Sequence, residues 1–203
     1  VALVSPTGLR TSYSYDACGR MVDVTDPAGR VTRYSYTSDF QVATVTYPTG
    51  ETARYEYDAM GRVVLSHVPG AGVSQYRYDP CGRLVFSCDL VYGQRHFSYD
   101  LAGQLVAATN PAGGVSRYGY DRCGRLVTRT DPGGGLTTYQ YNECGQMIAA
   151  TDPLGRVTEY TWDKSGTLAA ITRPDGTVVS RRLGPKGVEE YIDDQLVSRI
   201  LIT

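Results

Sequence analysis

A 21-residue repeat runs through the whole sequence and constrains its fold more than any other feature. The register is marked by an aromatic-acidic dipeptide, with glycine three residues after the acidic position. The dipeptides are Tyr15-Asp16, Tyr57-Asp58, Tyr78-Asp79, Tyr99-Asp100, Tyr120-Asp121 and the variants Tyr141-Asn142 and Trp162-Asp163. The pattern is interrupted at Tyr36-Thr37, where Phe40 stands at the glycine position. Self-similarity at a fixed period predicts an array of equivalent supersecondary units.

A Pro-x-Gly triplet is the second mark of the repeat and alternates with the first. It occurs at Pro6/Gly8, Pro27/Gly29, Pro48/Gly50, Pro111/Gly113, Pro132/Gly134, Pro153/Gly155 and Pro174/Gly176. Pro69/Ala71 is a near match, and Leu90/Tyr92 has lost both residues. Nine repeats therefore occupy residues 6–194 without insertion or deletion, and nine residues follow. We predict one repeat array across residues 1–203, with a degenerate ninth repeat.

Each repeat has the signature of a β-hairpin. Proline presets the backbone for a turn and glycine permits positive φ, while the aspartate of Tyr-Asp-x-x-Gly can accept hydrogen bonds from N–H groups ahead of it. Between the turns lie segments of ordinary strand length, such as 30–36 and 62–67. In the first of these, one face carries Thr32, Tyr34 and Tyr36 and the other carries Val31, Arg33 and Ser35, and helical periodicity is missing throughout. The predicted fold class is all-β, built from antiparallel hairpin repeats.

The number of strands limits how such hairpins are arranged. Nine hairpins supply eighteen strands, which at about 4.8 Å spacing would form a flat ribbon on the order of 85 Å wide. Open twisted sheets rarely exceed about 10 strands without curling. Propeller repeats are about 40 residues or longer, and a β-helix requires parallel coils. We therefore expect a curved sheet that spirals.

Composition excludes several functional classes. The formal net charge of -1 argues against nucleic-acid binding, which normally requires a basic excess. No apolar run approaches the roughly 20 residues that cross a bilayer, so no membrane insertion is expected. The first residues lack the charged and apolar regions of a signal peptide. The start at Val1 rather than methionine indicates a fragment or a trimmed product.

Tyrosine is the residue that the repeat concentrates most strongly, because fourteen of the 17 tyrosines fall in two columns. The first column is Tyr13, Tyr34, Tyr55, Tyr76, Tyr118, Tyr139 and Tyr160, and the second is Tyr15, Tyr36, Tyr57, Tyr78, Tyr99, Tyr120 and Tyr141. Cross-strand aromatic contacts predict a structural ladder. Aromatic rows can also stack sugars or bases, but a ligand site does not need the same residue in every repeat.

The cysteines share a column too. Cys18, Cys81, Cys123 and Cys144 occupy a turn position where Met60, Ala102 and Ser165 also occur, which indicates a small, mostly apolar corner. Equivalent positions lie two strands apart, about 9–10 Å, whereas a disulfide needs about 7 Å or less. Neither His67 nor His96 has zinc-site spacing. We predict five free thiols that fold in a reducing compartment, with no metal and no cofactor.

No residue pattern indicates catalysis. Turn-stabilising hydrogen bonds account for the aspartates of both turn types better than a catalytic pair does. The aspartates are Asp16, Asp26, Asp58, Asp79, Asp100, Asp121, Asp131, Asp152 and Asp163. Arg33, Arg54 and Arg117 form a broken basic column, which is typical of a solvated face. Because hydrolase and nucleotide-binding motifs are missing, no catalytic, cofactor-binding or metal residue is assigned, and the chain is not expected to be an enzyme.

The consensus Tyr-x-Tyr-Asp-x-x-Gly-Arg-Leu-Val, with Thr-Asp-Pro-x-Gly-x-x-Thr-x-Tyr, resembles the Rhs/YD-repeat family. The residues at 118–131, 130–141 and 151–163 carry it most fully, and it covers about 6–176. The resemblance implies a β-sheet that winds into a hollow shell. In bacterial Rhs proteins and the Tc toxin C component, that shell encloses a C-terminal toxin. Teneurins use a similar shell in cell-surface adhesion.

The sequence departs from this family near its end. Leu183 replaces the second tyrosine and Gly184 the aspartate, and residues 191–203 show neither an autocleavage segment nor room for a toxin domain. The leading hypothesis is a non-enzymatic shell segment of an Rhs-type toxin-delivery protein, whose partners are the remaining shell and an enclosed toxin. It would be made in a reducing cytoplasm and exported by a secretion system. The alternative is a stand-alone adhesion or carbohydrate-binding repeat protein.

Overall fold

The structure, a computed structural model, describes the backbone of residues 1–4, 6, 8–184 and 187–201. Every regular element in this part of the chain is a β-strand. No helix within it is long and apolar enough to cross a membrane. The chain divides into two compact units, Val1–Phe97 and Ser98–Thr203, and the boundary falls inside the tenth strand. Each unit is an open, curved sheet of antiparallel strands.

The N-terminal unit holds ten strands, the last of which ends just beyond its boundary. They are β1 (Ala2–Val4), β2 (Arg10–Tyr15), β3 (Met21–Thr25), β4 (Val31–Tyr36), β5 (Val42–Thr46), β6 (Thr52–Tyr57), β7 (Val63–Val68), β8 (Gly72–Tyr78), β9 (Leu84–Asp89) and β10 (Gly93–Tyr99). Strands next to one another in sequence pair antiparallel throughout this unit. This connectivity is the meander that the alternating turns predict.

The C-terminal unit repeats the same arrangement. Its strands are β11 (Leu105–Thr109), β12 (Val115–Tyr120), β13 (Leu126–Thr130), β14 (Leu136–Tyr141), β15 (Met147–Thr151), β16 (Val157–Trp162), β17 (Leu168–Thr172), β18 (Val178–Gly184), β19 (Gly187–Ile192) and β20 (Gln195–Leu201). These too pair antiparallel in sequence order. The eighteen strands expected from nine repeats are β2–β19, so the all-β hairpin fold is confirmed.

The two hairpin types differ in register. A hairpin closed by the Pro-Gly turn keeps a regular ladder, as between β3 and β4. Most hairpins closed at the Tyr-Asp position contain a β-bulge. Even the variant at Tyr36-Thr37 keeps it: Ser35 lies opposite Thr44 but Tyr36 lies opposite Val42, so Ala43 is the extra residue. Because a bulge increases local twist, its recurrence along the sheet supplies a local cause for the curvature of each unit.

Little of the sheet is deeply buried. Among the described side chains, the fully buried apolar residues are Ala53 and Phe86. The tyrosine face is half-buried, whereas the opposite face is exposed, as the alternation along β8 and β16 shows. A sheet with so small a core depends on hydrogen bonds and on contacts between successive repeats more than on a hydrophobic interior.

The last hairpin was not anticipated by the repeat pattern. Asp193 and Asp194 both have positive φ, at 48° and 62°, and join β19 to β20 in a two-residue loop. That geometry belongs to the type I′ hairpin turn, in which aspartate tolerates the left-handed region better than most residues. Asp193 also accepts the N–H of Val178 through its side chain at 2.8 Å. The sheet thus continues past the point where the sequence motif fades.

Replacing a turn glycine tests how far the repeat depends on left-handed turn residues. Gly155 has φ of +78° and an added Cβ would meet no atom within 4 Å, so a Gly155→Ala variant tests backbone strain alone. We expect the free energy of unfolding in urea to fall by about 1 kcal/mol. The neighbouring Leu154→Ala is the control, since Leu154 is 77% exposed and should change stability little. Equal stability of the two variants would contradict the turn assignment.

Candidate functional site

The aspartate of each Tyr-Asp turn organises the whole turn. In the first repeat, Asp16 Oδ1 accepts the backbone N–H groups of Cys18 and Arg20, both at 2.9 Å. Its other oxygen, Oδ2, accepts the Arg20 Nε–H at 2.6 Å. The same carboxylate-guanidinium bond recurs at Asp58, Asp79 and Asp121. The carboxylate therefore connects the start of the turn to its end and to the arginine that begins the next strand.

Two Pro-Gly turns, headed by Asp26 and Asp152, use the same arrangement with a more exposed arginine. Asp26 accepts the N–H groups of Ala28 and Arg30 and binds the Arg30 side chain at 2.7 Å. The Arg30 side chain is 69% exposed, against 28% for Arg20 in the other turn type. Only the Tyr-Asp turns hold their arginine against the sheet.

These hydrogen bonds keep the aspartates ionised. The Arg20 backbone N–H is the leading cause that holds the pKa of Asp16 below its usual value; desolvation opposes it, and the Arg20 guanidinium adds to the lowering. At Asp58 the Arg62 guanidinium is the leading cause of a lowered pKa. A carboxylate with a lowered pKa is a stable acceptor and a poor proton donor. The structure thus places these aspartates in turn hydrogen bonds, which is the role that their sequence position indicated.

The second tyrosine column forms a bond between repeats that the sequence did not reveal. Five of these hydroxyls donate to the backbone carbonyl fifteen residues earlier, on the preceding hairpin. The bonds are Tyr36 to Met21 (2.6 Å), Tyr57 to Val42 (2.8 Å), Tyr78 to Val63 (3.0 Å), Tyr120 to Leu105 (2.9 Å) and Tyr141 to Leu126 (2.8 Å). Trp162 does the same through Nε1–H, to Met147 at 2.7 Å. We call this bond the tyrosine latch.

The latch lies beyond the last backbone pair of its two strands, next to the bulge at Val22 of β3. The ladder between β3 and β4 ends with Asp23 opposite Arg33, two residues short of Met21. The Tyr36 hydroxyl reaches the Met21 carbonyl beyond that end and so extends the contact between these strands. At Tyr120, burial is the leading cause of a raised pKa, which keeps this hydroxyl protonated as a donor.

An arginine stacks on the latch tyrosine where the sequence supplies one. The Arg20 guanidinium lies 5.0 Å from the centroid of the Tyr36 ring, and equivalent pairs join Arg62 to Tyr78 at 4.6 Å and Arg125 to Tyr141 at 4.9 Å. A cation over an aromatic face is attracted by the ring quadrupole. One arginine therefore links the aspartate of its own turn to the tyrosine of the next repeat.

The first tyrosine column differs from the predicted aromatic ladder. The cross-strand partner of Tyr34 is Val45, and those of Tyr118 and Tyr139 are Arg129 and Ala150. Equivalent tyrosines lie two strands apart, with a non-aromatic residue on the strand between them. The sheet is held by the latch and its arginine, so the interpretation as cross-strand aromatic contacts is wrong.

The cysteines are free, but their position is not an apolar corner. Cys18, Cys81, Cys123 and Cys144 are exposed at hairpin tips, and Cys88 is half-buried on β9. Met60, which shares the column, is 79% exposed. The turn uses the backbone N–H of this residue as a donor to aspartate, which leaves the side chain in solvent and explains why its type varies.

His96, Arg77 and Arg33 lie on the face of the sheet opposite the tyrosines. The Phe86 ring lies edge-on to His96 at 5.1 Å, and the Arg77 guanidinium lies 4.0 Å from the same ring. Arg33 lies 3.6 Å from Asp23, and the other members of its column are exposed, as expected of a solvated face. The part of the chain that the structure describes contains no group of three metal-ligating side chains.

Two clefts open on the C-terminal unit. The first, of about 720 Å³, lies between successive Pro-Gly turns and is lined by balanced charges, including Arg156, Glu159, Arg173 and Asp175. The second, of about 590 Å³, is more apolar. We call it the ninth-repeat cleft, and the lining residues that define it are Thr167, Leu168, Ile171, Val179, Arg181 and Glu190.

Comparison with known proteins assigns this repeat to a family. A family model described as teneurin YD-shell matches residues 6–177, most of the chain. The chain belongs to the teneurin YD-shell family. The predicted membership of the Rhs/YD-repeat family is thereby confirmed. No curated protein sequence matches the chain.

Solved structures share the fold. The crystal structure of TcdB2-TccC3-TEV matches with a TM-score of 0.72 at 17% identity, over 94% of this chain and 12% of that chain. The crystal structure of TcdB2-TccC3 without hypervariable C-terminal region matches with a TM-score of 0.73 at 16% identity, over 94% of this chain and 12% of that chain. The structure of the Photorhabdus luminescens Tc holotoxin pore matches with a TM-score of 0.52 at 13% identity, over 95% of this chain and 13% of that chain.

The chain spans about an eighth of the length of the solved chains it matches. At these identities the likeness shows a common fold. Together with membership of the YD-shell family, it supports a shell-like structural role for the chain.

Removing one latch hydroxyl measures what the bond contributes. Tyr141→Phe keeps the ring beneath Arg125 but deletes the donor to Leu126, and we expect the free energy of unfolding in urea to fall by about 1 kcal/mol. Tyr139→Phe is the matched control, because the Tyr139 hydroxyl bonds to none of the described residues. A control as damaging as Tyr141→Phe would show that the latch adds nothing.

Acidification is expected to destabilise the fold through the turns. The pKa is lowered at Asp16, Asp26, Asp58, Asp79, Asp121, Asp152, Asp163 and Asp175. A carboxylate with a folded pKa below its unfolded value of about 3.9 stabilises the fold above that pH. The contribution is lost as the pH falls through the folded pKa. The urea midpoint should therefore be lower at about pH 3 than at about pH 6.

A natural variant of the turn supplies the control for this pH dependence. Asn142 and Gln146 stand where other turns have aspartate and arginine, and Asn142 still accepts the Gln146 N–H at 3.0 Å. The double variant Asp121→Asn/Arg125→Gln reproduces this pair and should show a smaller loss of midpoint on acidification. An unchanged pH dependence in this variant would mean that Asp121 does not contribute to it.

Proposed function

We propose that the chain is a wall segment of a YD shell in an Rhs-type toxin-delivery protein, that this shell encloses a C-terminal toxin, and that the segment performs no catalysis. The observation that carries the proposal is the repeated latch. In six repeats the hairpin uses its aromatic donor to hold the hairpin before it. Such a repeat builds an extended wall, and its polar groups are engaged in structure.

The terminal strands support the proposal that further repeats adjoin the chain. Within the described residues, β1 pairs with β2 and β20 with β19, and each presents its other edge. Leu3 and Val4 on β1 are 65% and 63% exposed, and Leu196 and Val197 on β20 are 48% and 53% exposed. An unpaired, partly apolar edge is a template for another strand. More hairpins of the same repeat are the partner whose register fits these edges.

The fraction of each matched solved chain that this chain covers supports the same conclusion. A segment equal to 12% of the TcdB2-TccC3 chain would supply one portion of a comparable shell. The remainder of the wall and an enclosed toxin domain are then the expected partners. The five free cysteines, four of them exposed, are consistent with synthesis in a reducing cytoplasm before export by a secretion system.

The alternative, an adhesion or carbohydrate-binding protein, has less support. Sugar recognition by tyrosine requires accessible ring faces, but the latch tyrosines are half-buried and several carry an arginine on one face. Their hydroxyls donate to carbonyls within the sheet. The second column is thus committed to holding repeats together.

Protease protection tests the shell proposal on the protein encoded by the complete reading frame. We expect that protein to contain further repeats and a C-terminal domain that resists a protease until the wall is opened. Tyr36→Ala/Tyr57→Ala removes two latches and should increase the rate of cleavage of that domain. Arg54→Ala, on the exposed face, is the control and should leave the rate unchanged. Specific binding of the chain to a glycan array would instead favour the alternative.

Two results would overturn the proposal. One is a reading frame without additional repeats. The other is a C-terminal domain that is cut as fast in the intact protein as it is alone.

A further inference from the structure

The ninth repeat lacks the aromatic donor of the latch and the arginine that stacks on it in other repeats. The donor bonds the carbonyl fifteen residues earlier, as Tyr36 does with Met21. In several repeats the donor also lies against an arginine sixteen residues earlier, as Tyr36 does with Arg20. Applied to the ninth repeat, this register places the donor at Leu183, the carbonyl at Leu168 and the stacking residue at Thr167. A leucine side chain cannot donate a hydrogen bond, and threonine cannot stack a cation.

The ninth-repeat cleft opens at the place where that latch is missing. Thr167 and Leu168 both line the cleft. These are the two residues that a tyrosine at position 183 would contact in the register of the other repeats. Ile171 and Val179 add apolar walls on the tyrosine face of β17 and β18. The cleft, of about 590 Å³, therefore lies beside the residues that contact the aromatic donor in the other repeats.

A cation borders the cleft from the other tyrosine column. Arg181 occupies the first-column position of the ninth repeat, where the other repeats have tyrosine or Phe97. Its side chain is 68% exposed, and it lies 3.4 Å from the Glu190 carboxylate across the hairpin. Arg181 thus offers the guanidinium that Thr167 does not supply.

We propose that the ninth-repeat cleft binds a tyrosine side chain from a partner polypeptide, with the phenol donating to the Leu168 carbonyl and the ring against Ile171 and Val179. The occupant is inferred from the equivalent sites in this same chain, each of which holds an aromatic ring with a donor. The inference uses only the repeat geometry and does not depend on the toxin-shell proposal.

The donor requirement selects tyrosine over phenylalanine. The second column contains tyrosine in seven repeats and tryptophan in the eighth, whose indole N–H makes the same bond. Among the described residues, the hydroxyls of the first column do not make this bond, and one repeat has a phenylalanine, Phe97, in that column. A partner phenylalanine would fill the ring position and leave the Leu168 carbonyl without that donor.

Titration of the full 203-residue chain with a tyrosine analogue tests the proposal. With N-acetyl-tyrosinamide as the probe, nitrogen-proton NMR should show saturable shifts at the amides of Leu168, Ile171 and Val179. N-acetyl-phenylalaninamide should bind about five- to tenfold more weakly, the ratio expected for one hydrogen bond. Equal affinity for the two amides, or shifts that do not saturate, would overturn the proposal. So would saturable binding of maltose in the same cleft without binding of the tyrosine amide.

A variant that rebuilds the latch inside the chain gives the decisive comparison. Thr167→Arg/Leu183→Tyr should abolish probe binding and raise the urea midpoint, because the chain would then fill its own cleft. Thr177→Arg is the control, since it adds the same charge in the neighbouring Pro-Gly turn and should leave binding unchanged. Unaltered binding by the double variant would overturn the proposal. If that variant does not fold, Arg181→Gln provides the test, and binding equal to that of the unsubstituted chain would contradict the role of Arg181.

Discussion

The tyrosine latch is the interaction on which the rest of this structure depends. A single-layer sheet with few buried side chains gains little from a hydrophobic interior, so its repeats must be joined by specific polar contacts. The latch supplies one such contact beyond the last backbone pair of β3 and β4, next to the bulge at Val22. The bulge that bends the sheet therefore lies beside the position where a side chain adds the next contact between the strands.

This geometry explains why the sequence has no insertion or deletion across nine repeats. The hydroxyl-carbonyl bond spans fifteen residues and the arginine stack spans sixteen, so both contacts depend on the same count of residues between them. One extra residue would move the tyrosine to the other face of its strand. An extra residue inside the Tyr-Asp turn itself would separate the arginine from the aspartate that orients it. Loops of variable length are therefore incompatible with the Tyr-Asp turn.

The sequence predicted the features that depend on local chemistry. Turn residues such as Asp16 and Gly155 have conformations that follow from their residue types, and the strand lengths follow from the spacing between turns. The bulge could not be predicted, because Ala43 is an ordinary strand residue and the extra position is defined only by its partner strand. The latch needed a three-dimensional register, since the tyrosine column alone does not show where its hydroxyls point. The turn at Asp193 was missed because it lacks the glycine that usually marks such turns.

The ninth repeat shows what the array can lose. In a repeat protein each unit contacts its neighbours only, so a missing latch weakens one junction and leaves the others intact. Thr167, Arg181 and Leu183 depart from the consensus in or next to two neighbouring strands of the array, and Thr167 and Arg181 line one cleft. Unrelated substitutions would be spread over many columns of the array. Here Leu183 removes the ring and its donor, Thr167 removes the stacking cation, and Arg181 places a different cation beside the cleft. A local departure from otherwise consistent rules is where function is expected, and here the departure leaves a site whose shape the other repeats define.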